Sequence, residues 1–81
     1  MPYSVYVLKS IKDGKRYIGH TEDLNMRLDF HNSGKSPYTR SRGPWMLIYS
    51  EPYETRSEAM IREKFLKSGK GREWLDQNAI K

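Results

Sequence analysis

The sequence predicts one α/β domain of the α+β type over residues 1–81, with its elements in the order ββαβαα. Three observations predict it. A turn signal, Asp13-Gly14, separates two short β-rich stretches near the start; an apolar run, Trp45-Met46-Leu47-Ile48-Tyr49, stands between two helical segments; and Thr55-Arg56-Ser57-Glu58 reads as a helix capping box.

Tyr3 to Leu8 is rich in β-formers, and Tyr17-Ile18-Gly19 follows the turn as the second strand of a hairpin. With Asp13 and Gly14 as the whole turn, Tyr17 would face Ser10, about 13 Å along the strand from Tyr6. A wider loop or a bulge would bring the two tyrosines together. Either register with Tyr17 opposite an even-numbered residue keeps both on one face. Thr21 or Asp23 can cap a helix that buries Leu24 and Leu28, stops near Asn32 and is followed by Gly34. Asn32 is expected as a cap. Arg27 and His31, four apart, share one face beside the buried stripe. A basic loop from Ser33 to Pro44 leads into the apolar run, which suits the central strand of a sheet. The second helix starts at Thr55 and ends at Ser68-Gly69; on its wheel Leu66, Ala59 and Met60 form an apolar arc, and Glu63 falls inside that arc. A carboxylate on the core side calls for an explanation. Gly71 to Ile80 closes the chain as a short helix. Burial should collect on Leu24, Leu28, Trp45, Leu47, Ala59 and Leu66, with at least four of them nearly inaccessible.

An 81-residue domain buries only about 60–65% of the surface its unfolded chain exposes, so a thin core is expected. There is no cysteine, hence no disulfide framework, and two histidines without a thiol do not make a structural zinc site. Neither a signal-peptide pattern nor a run of roughly 20 apolar residues is present, which predicts a cytoplasmic protein with no membrane span. Fifteen Lys and Arg against ten Asp and Glu leave a net charge of +5, which favours a polyanionic partner. No acid stands between Asp29 and Glu51 or between Glu63 and Glu73, so two basic rims are expected. One holds Lys35, Arg40 and Arg42, with Tyr38 among them; the other holds Lys64, Lys67, Lys70 and Arg72.

Taken together, Val5-Tyr6-Val7, Tyr17-Ile18-Gly19, Arg27 with His31-Asn32, and a helical Glu63 resemble the GIY-YIG nuclease family, most of all its small stand-alone bacterial members. The resemblance runs from Tyr3 to about Leu75. Val5-Tyr6-Val7 departs from Gly-Ile-Tyr but keeps a strand tyrosine. His20 stands where many repair-type members carry lysine, so a permanent cation is missing there. The resemblance implies a three-stranded antiparallel sheet flanked by helices. It also implies a metal-dependent DNA endonuclease that leaves a 5′-phosphate and a 3′-hydroxyl, with DNA as its partner. No attached recognition domain is expected, so target choice would fall to the module itself or to a targeting protein.

The resemblance further assigns roles. Glu63 would be the sole protein ligand of one divalent ion, Mg²⁺ or Mn²⁺; Mg²⁺ keeps several waters and so suits a single carboxylate. Arg27 offers a planar fork of donors to phosphate oxygens, and His31 would orient water or steady the leaving group. Tyr6 and Tyr17 compete for the part of general base; we place Tyr6 there, with Tyr17 positioning water or phosphate. Gly19 permits a close approach where a side chain would intrude. Lys35, Arg40, Arg42, Lys64 and Lys67 would grip the backbone, mostly without reading bases. Tyr6, Tyr17, Arg27, His31 and Glu63 should converge on one concave, basic-rimmed surface, with Glu63 on the same side of the sheet as Tyr17. The alternatives are a catalytically weak nucleic-acid-binding adaptor of the same fold, or a protein-interaction domain whose basic face is incidental.

Overall fold

A computed structural model of the chain describes residues 2–36 and 43–81. The elements are β1 (Tyr3–Ser10), β2 (Arg16–Thr21), α1 (Leu24–Asn32), β3 (Trp45–Tyr53), α2 (Arg56–Lys67) and α3 (Gly69–Gln77), in the predicted order. The strands form one antiparallel sheet in the order β2-β1-β3. The apolar run at Trp45 therefore lies in an edge strand, contrary to expectation. The centre belongs to β1, where Val5, Tyr6, Val7 and Leu8 are all buried because helices cover both faces there. Most of β3 is only half-buried or exposed.

The hairpin takes the wider of its two possible loops. Leu8 faces Tyr17 and Tyr6 faces Gly19, and the last Cα pair is Lys9 with Arg16. Ser10 organises the loop: its N–H donates to the Lys15 carbonyl (2.8 Å), its carbonyl accepts from Gly14 (2.9 Å), and its hydroxyl accepts from the N–H groups of Lys12 and Asp13. Gly14 supplies the turn's left-handed residue at φ +76°.

Strand alternation sorts the core into two layers. Val5, Val7 and Ile18 pack with Ala59 and Leu66 of α2, Leu75 of α3, and Ile80. On the other face Tyr6, Leu8 and Trp45 pack with Tyr17, Leu24, Leu28 and Leu47. Only three of the six expected core residues are nearly inaccessible, namely Trp45, Ala59 and Leu66. Leu24, Leu28 and Leu47 stay half-buried, because nine-residue α1 covers a small face and the one residue it buries fully is His31.

Helix ends follow the sequence closely. Asp23 caps α1, its Oδ1 accepting from Met26 N–H at 3.0 Å. Thr55 and Glu58 close the capping box on α2. Ser68 serves both as the C-cap of α2 and the N-cap of α3, so the closing helix starts two residues before its predicted place. The end of the chain is fastened to the hairpin. Arg16 donates to Asp76 Oδ1 (3.0 Å) and to the Ile80 carbonyl (2.8 Å), and Lys9 Nζ donates to the Lys81 carbonyl (3.0 Å).

Candidate active site

Strand β2 presents two consecutive residues to opposite faces, Gly19 toward α1 and His20 toward α2. On the Gly19 face, the Tyr6 ring from β1 lies directly over the glycine. A Cβ at residue 19 would sit 2.6 Å from the phenol oxygen and 2.8 Å from Cζ, so only glycine leaves room for the ring. The Tyr6 hydroxyl meets His31 Nε2 at 3.0 Å, and in the Nδ1–H tautomer of His31 the phenol donates. Tyr17, opposite Leu8, sets its ring 6.4 Å from Tyr6 and 4.8 Å, edge-on, from His31. Three of the predicted residues thus form one aromatic cluster.

Their environments differ. Tyr6 is 2% exposed, and burial first, then the neighbouring Tyr17, holds its phenol well above the ordinary tyrosine range, with Arg27 pulling the other way. His31 is pushed below its usual value, by burial and then by the Arg27 guanidinium. Both groups are therefore neutral at neutral pH. Arg27 lies one turn before His31 on α1, half-buried, with its guanidinium 5.2 Å from the Phe30 ring centre. Asn32, expected as a cap, instead ties the end of α1 to β3. Its Nδ2 donates to the Trp45 carbonyl (3.1 Å) and its Oδ1 accepts from the Trp45 N–H (2.6 Å), while Ser33 takes the C-cap position.

Glu63 comes from the other side. It rides on α2, whose layer covers the opposite face of the sheet from the aromatic cluster, and it meets β2 at His20, with Nδ1 and Oε1 2.6 Å apart. Lys67 Nζ lies 2.7 Å from Oε2. Burial would raise this carboxyl, but the bonds from Lys67 and His20 outweigh it and hold the group below the usual carboxylate range. Its charge still reaches the cluster, where it adds to the raising of Tyr6. The expected convergence of all five on one concave surface, with Glu63 on the same side of the sheet as Tyr17, is not met. The reason is that α2 packs on the opposite face from α1 and brings Glu63 to the edge strand from there, while Arg27 and His20 line one cleft at that edge. Tyr6, Tyr17, Arg27 and His31 flank one side of the Gly19-His20 step and Glu63 the other.

Residues 2–76 match the model of the GIY-YIG catalytic domain. The chain belongs to the GIY-YIG family. It is 45% identical over 78 residues to a UPF0213 protein of Streptococcus pneumoniae, a match that covers 91% of this chain and 78% of that one. It is also 45% identical over 65 residues to a UPF0213 protein of Staphylococcus aureus, covering 79% of this chain and 78% of the relative. The solution NMR structure of a UPF0213 protein from Bacillus halodurans superposes with a TM-score of 0.57 at 39% identity, covering 95% of this chain and 84% of that one. The chain thus carries a nuclease-family domain and resembles small bacterial proteins of the same kind.

In this GIY-YIG domain the described residues hold no group of three or more metal-ligating side chains. Glu63, the ligand expected from the sequence, offers one carboxylate with hard oxygen atoms, kept ionised and only 19% exposed. Such a set fits a divalent ion that retains most of its water, provided the half-exposed Lys67 swings off Oε2. Of the predicted backbone grips, Lys35 and Lys64 are exposed and Lys67 sits at Glu63, while Arg40 and Arg42, with Tyr38, lie outside the described residues. The reading from sequence overlooked what the hairpin adds to the second basic rim, which already held Lys67 and Arg72. A cleft of about 1090 Å³ between the hairpin turn and the α2–α3 elbow is lined by Lys9, Lys15, Arg16, Lys67 and Arg72, and Tyr17 is at its wall. The hairpin register would have revealed it, since pairing Lys9 with Arg16 gathers these cations at one end of the sheet. No helix among the described residues is long and apolar enough to cross a membrane.

Proposed function

We propose that this domain is a divalent-metal-dependent DNA endonuclease, using Mg²⁺ or Mn²⁺, that hydrolyses a phosphodiester to a 5′-phosphate and a 3′-hydroxyl. One observation carries the reading: the aromatic cluster and the ionised Glu63 meet the same two residues of an edge strand, Gly19 and His20, from its two faces. A backbone laid over that edge would have Arg27 and the phenols on one flank and a carboxylate on the other.

In this reading the water oxygen attacks phosphorus, the P–O3′ bond breaks, the water's proton passes to a base and the departing 3′ oxygen takes one up. Arg27 clamps the non-bridging oxygens, where a permanent planar charge is worth most as negative charge builds. The burial of Tyr6 and its raised phenol favour a positioning part for it, seating His31, over the base role expected from sequence. Tyr17, half-buried and at the wall of the basic cleft, is then the phenol that meets water or phosphate. Glu63 would hold the metal, which when bound supplies Lewis-acid charge at the phosphate and support for the leaving oxygen. Lys35, Lys64 and Lys67, with Arg40 and Arg42, would hold the flanking backbone.

The test is cleavage of branched, single-stranded and double-stranded DNA with Mg²⁺ and with chelator. Resealing of nicks by a DNA ligase reports the end chemistry. Glu63→Gln should lower cleavage by a factor on the order of 10² or more, from loss of the charge that holds the metal, while DNA binding survives or tightens. Arg27→Ala should weaken both cleavage and binding and reduce the log–log salt slope by about 1. Equal cleavage by the wild type and Glu63→Gln would trace the activity to another source. A wild type that binds DNA but never cuts it would leave the adaptor reading standing.

A further inference from the structure

Both carboxylate oxygens of Glu63 are held, and the two holders are unlike. His20 sits on β2, a strand backbone-paired to β1, with its side chain 24% exposed and Nδ1 2.6 Å from Oε1. Lys67 reaches Oε2 from one turn further along the same helix, through a long side chain that is 52% exposed. An exposed i,i+4 pair of this kind is weak and readily exchanged, whereas a short bond from a rigid strand fixes a rotamer. The residue is also placed with care. It directly follows Gly19, so the backbone step that seats Tyr6 on one face aims this imidazole at α2 on the other.

We propose that His20 is a positioning residue: it donates Nδ1–H to Glu63 Oε1 and sets the carboxylate so that Oε2, covered by Lys67, is the oxygen offered to a divalent cation. This rests on the metal-dependent reading above. His20 touches neither the cation nor the phosphate in this arrangement. Lys67, once displaced, is released toward the basic cleft it already lines.

The experiment is a Mn²⁺ titration of the protein without DNA, followed by water-proton relaxation, alongside a thermal midpoint for each variant. His20→Leu keeps a side chain of bulk but loses the donor, and should weaken Mn²⁺ about 10–100-fold. His20→Asn, with an amide N–H to offer the same oxygen, should retain most of the affinity. A role in packing alone predicts the reverse order, with the leucine variant equal to or better than the asparagine. Lys67→Met should bind Mn²⁺ more tightly than the wild type, and Glu63→Gln should not bind it. Mn²⁺ affinity in His20→Leu equal to that of the wild type overturns the proposal and leaves the metal-dependent reading intact. A wild type that binds no Mn²⁺ overturns both.

Discussion

Gly19 shows how far one missing methyl group can reach. Its absence lets the Tyr6 phenol cross the strand to His31, so Gly19→Ala should push the ring out, costing about 1–3 kcal/mol and breaking the bond to the imidazole. Tyr6→Phe alone should cost about 0.5–1.5 kcal/mol, the worth of that hydrogen bond. The two changes should cost less together than their sum, because the phenol oxygen is the atom nearest the added Cβ. Urea unfolding of the two single variants and the double one measures this; strict additivity would mean that the clash is relieved elsewhere. At this scale the sequence was partly legible. Tyr17-Ile18-Gly19 marks a close approach, and Arg27 and His31 share a face by spacing alone. The partner of Glu63 was not legible, since His20 lies 43 residues away and only the docking of α2 brings the pair together.

Helix α2 is fixed to the sheet by more than its apolar arc. Glu51 on β3 accepts from Arg62 through Nε (2.9 Å) and a second guanidinium nitrogen (3.1 Å), and from the hydroxyls of Tyr49 and Tyr53. The Arg62 guanidinium also stacks 4.6 Å from the Trp74 ring centre, tying in α3. Arg62→Met should therefore cost about 1.5–3 kcal/mol, the range for a hydrogen bond to a charged partner. Because Glu63 is the next residue, the same variant should lower cleavage more than its stability loss explains. Thr55→Ala, which removes only the cap, should cost about 1 kcal/mol and leave cleavage of the folded protein unchanged. Thermal midpoints paired with rates below the transition separate the two. The capping box of α2 could be read from sequence because capping is local chemistry, whereas for α1 the sequence left Thr21 and Asp23 open and took Asn32 for a cap that Ser33 provides. The place of the third strand could not, because an apolar run reports burial but not which strand gains two neighbours. That is decided by β1, whose four consecutive buried residues carry the pairing on both sides.

For the whole molecule, the buried and half-buried titratable groups define a pH window. Glu51 and Glu63 are held below their ordinary value, the first against burial by Arg62 and the two tyrosines, so their contribution is present above about pH 4.5 and is lost as pH falls through the folded values. His31 is also lowered, so the unfolded chain takes up its proton first and stability should begin to fall below about pH 6.5. Tyr6 and Tyr53 are raised, and Tyr49 is pushed up to about 12, chiefly by burial. Their contribution is complete below about pH 10 and lost as pH rises beyond it. The thermal midpoint should be flat between about pH 6.5 and 10, and His31→Gln should extend the flat region to lower pH; a midpoint still rising above pH 7 would contradict this assignment. The fastening of Arg16 to Asp76 and Ile80 bears on something else, the order in which a growing chain assembles its candidate site. At about 5–20 residues per second, residue 80 leaves the ribosome's active centre roughly 3–12 s after residue 21. A lone hairpin is at best marginally stable in water. During that interval strand β2, with Tyr17, Gly19 and His20 on it, has no counterpart for Arg16 at its first residue. Glu63 is made before the fastening residues, so Asp76 and Ile80, which follow every residue of the candidate site in synthesis, lock the edge strand on which both halves of that site depend.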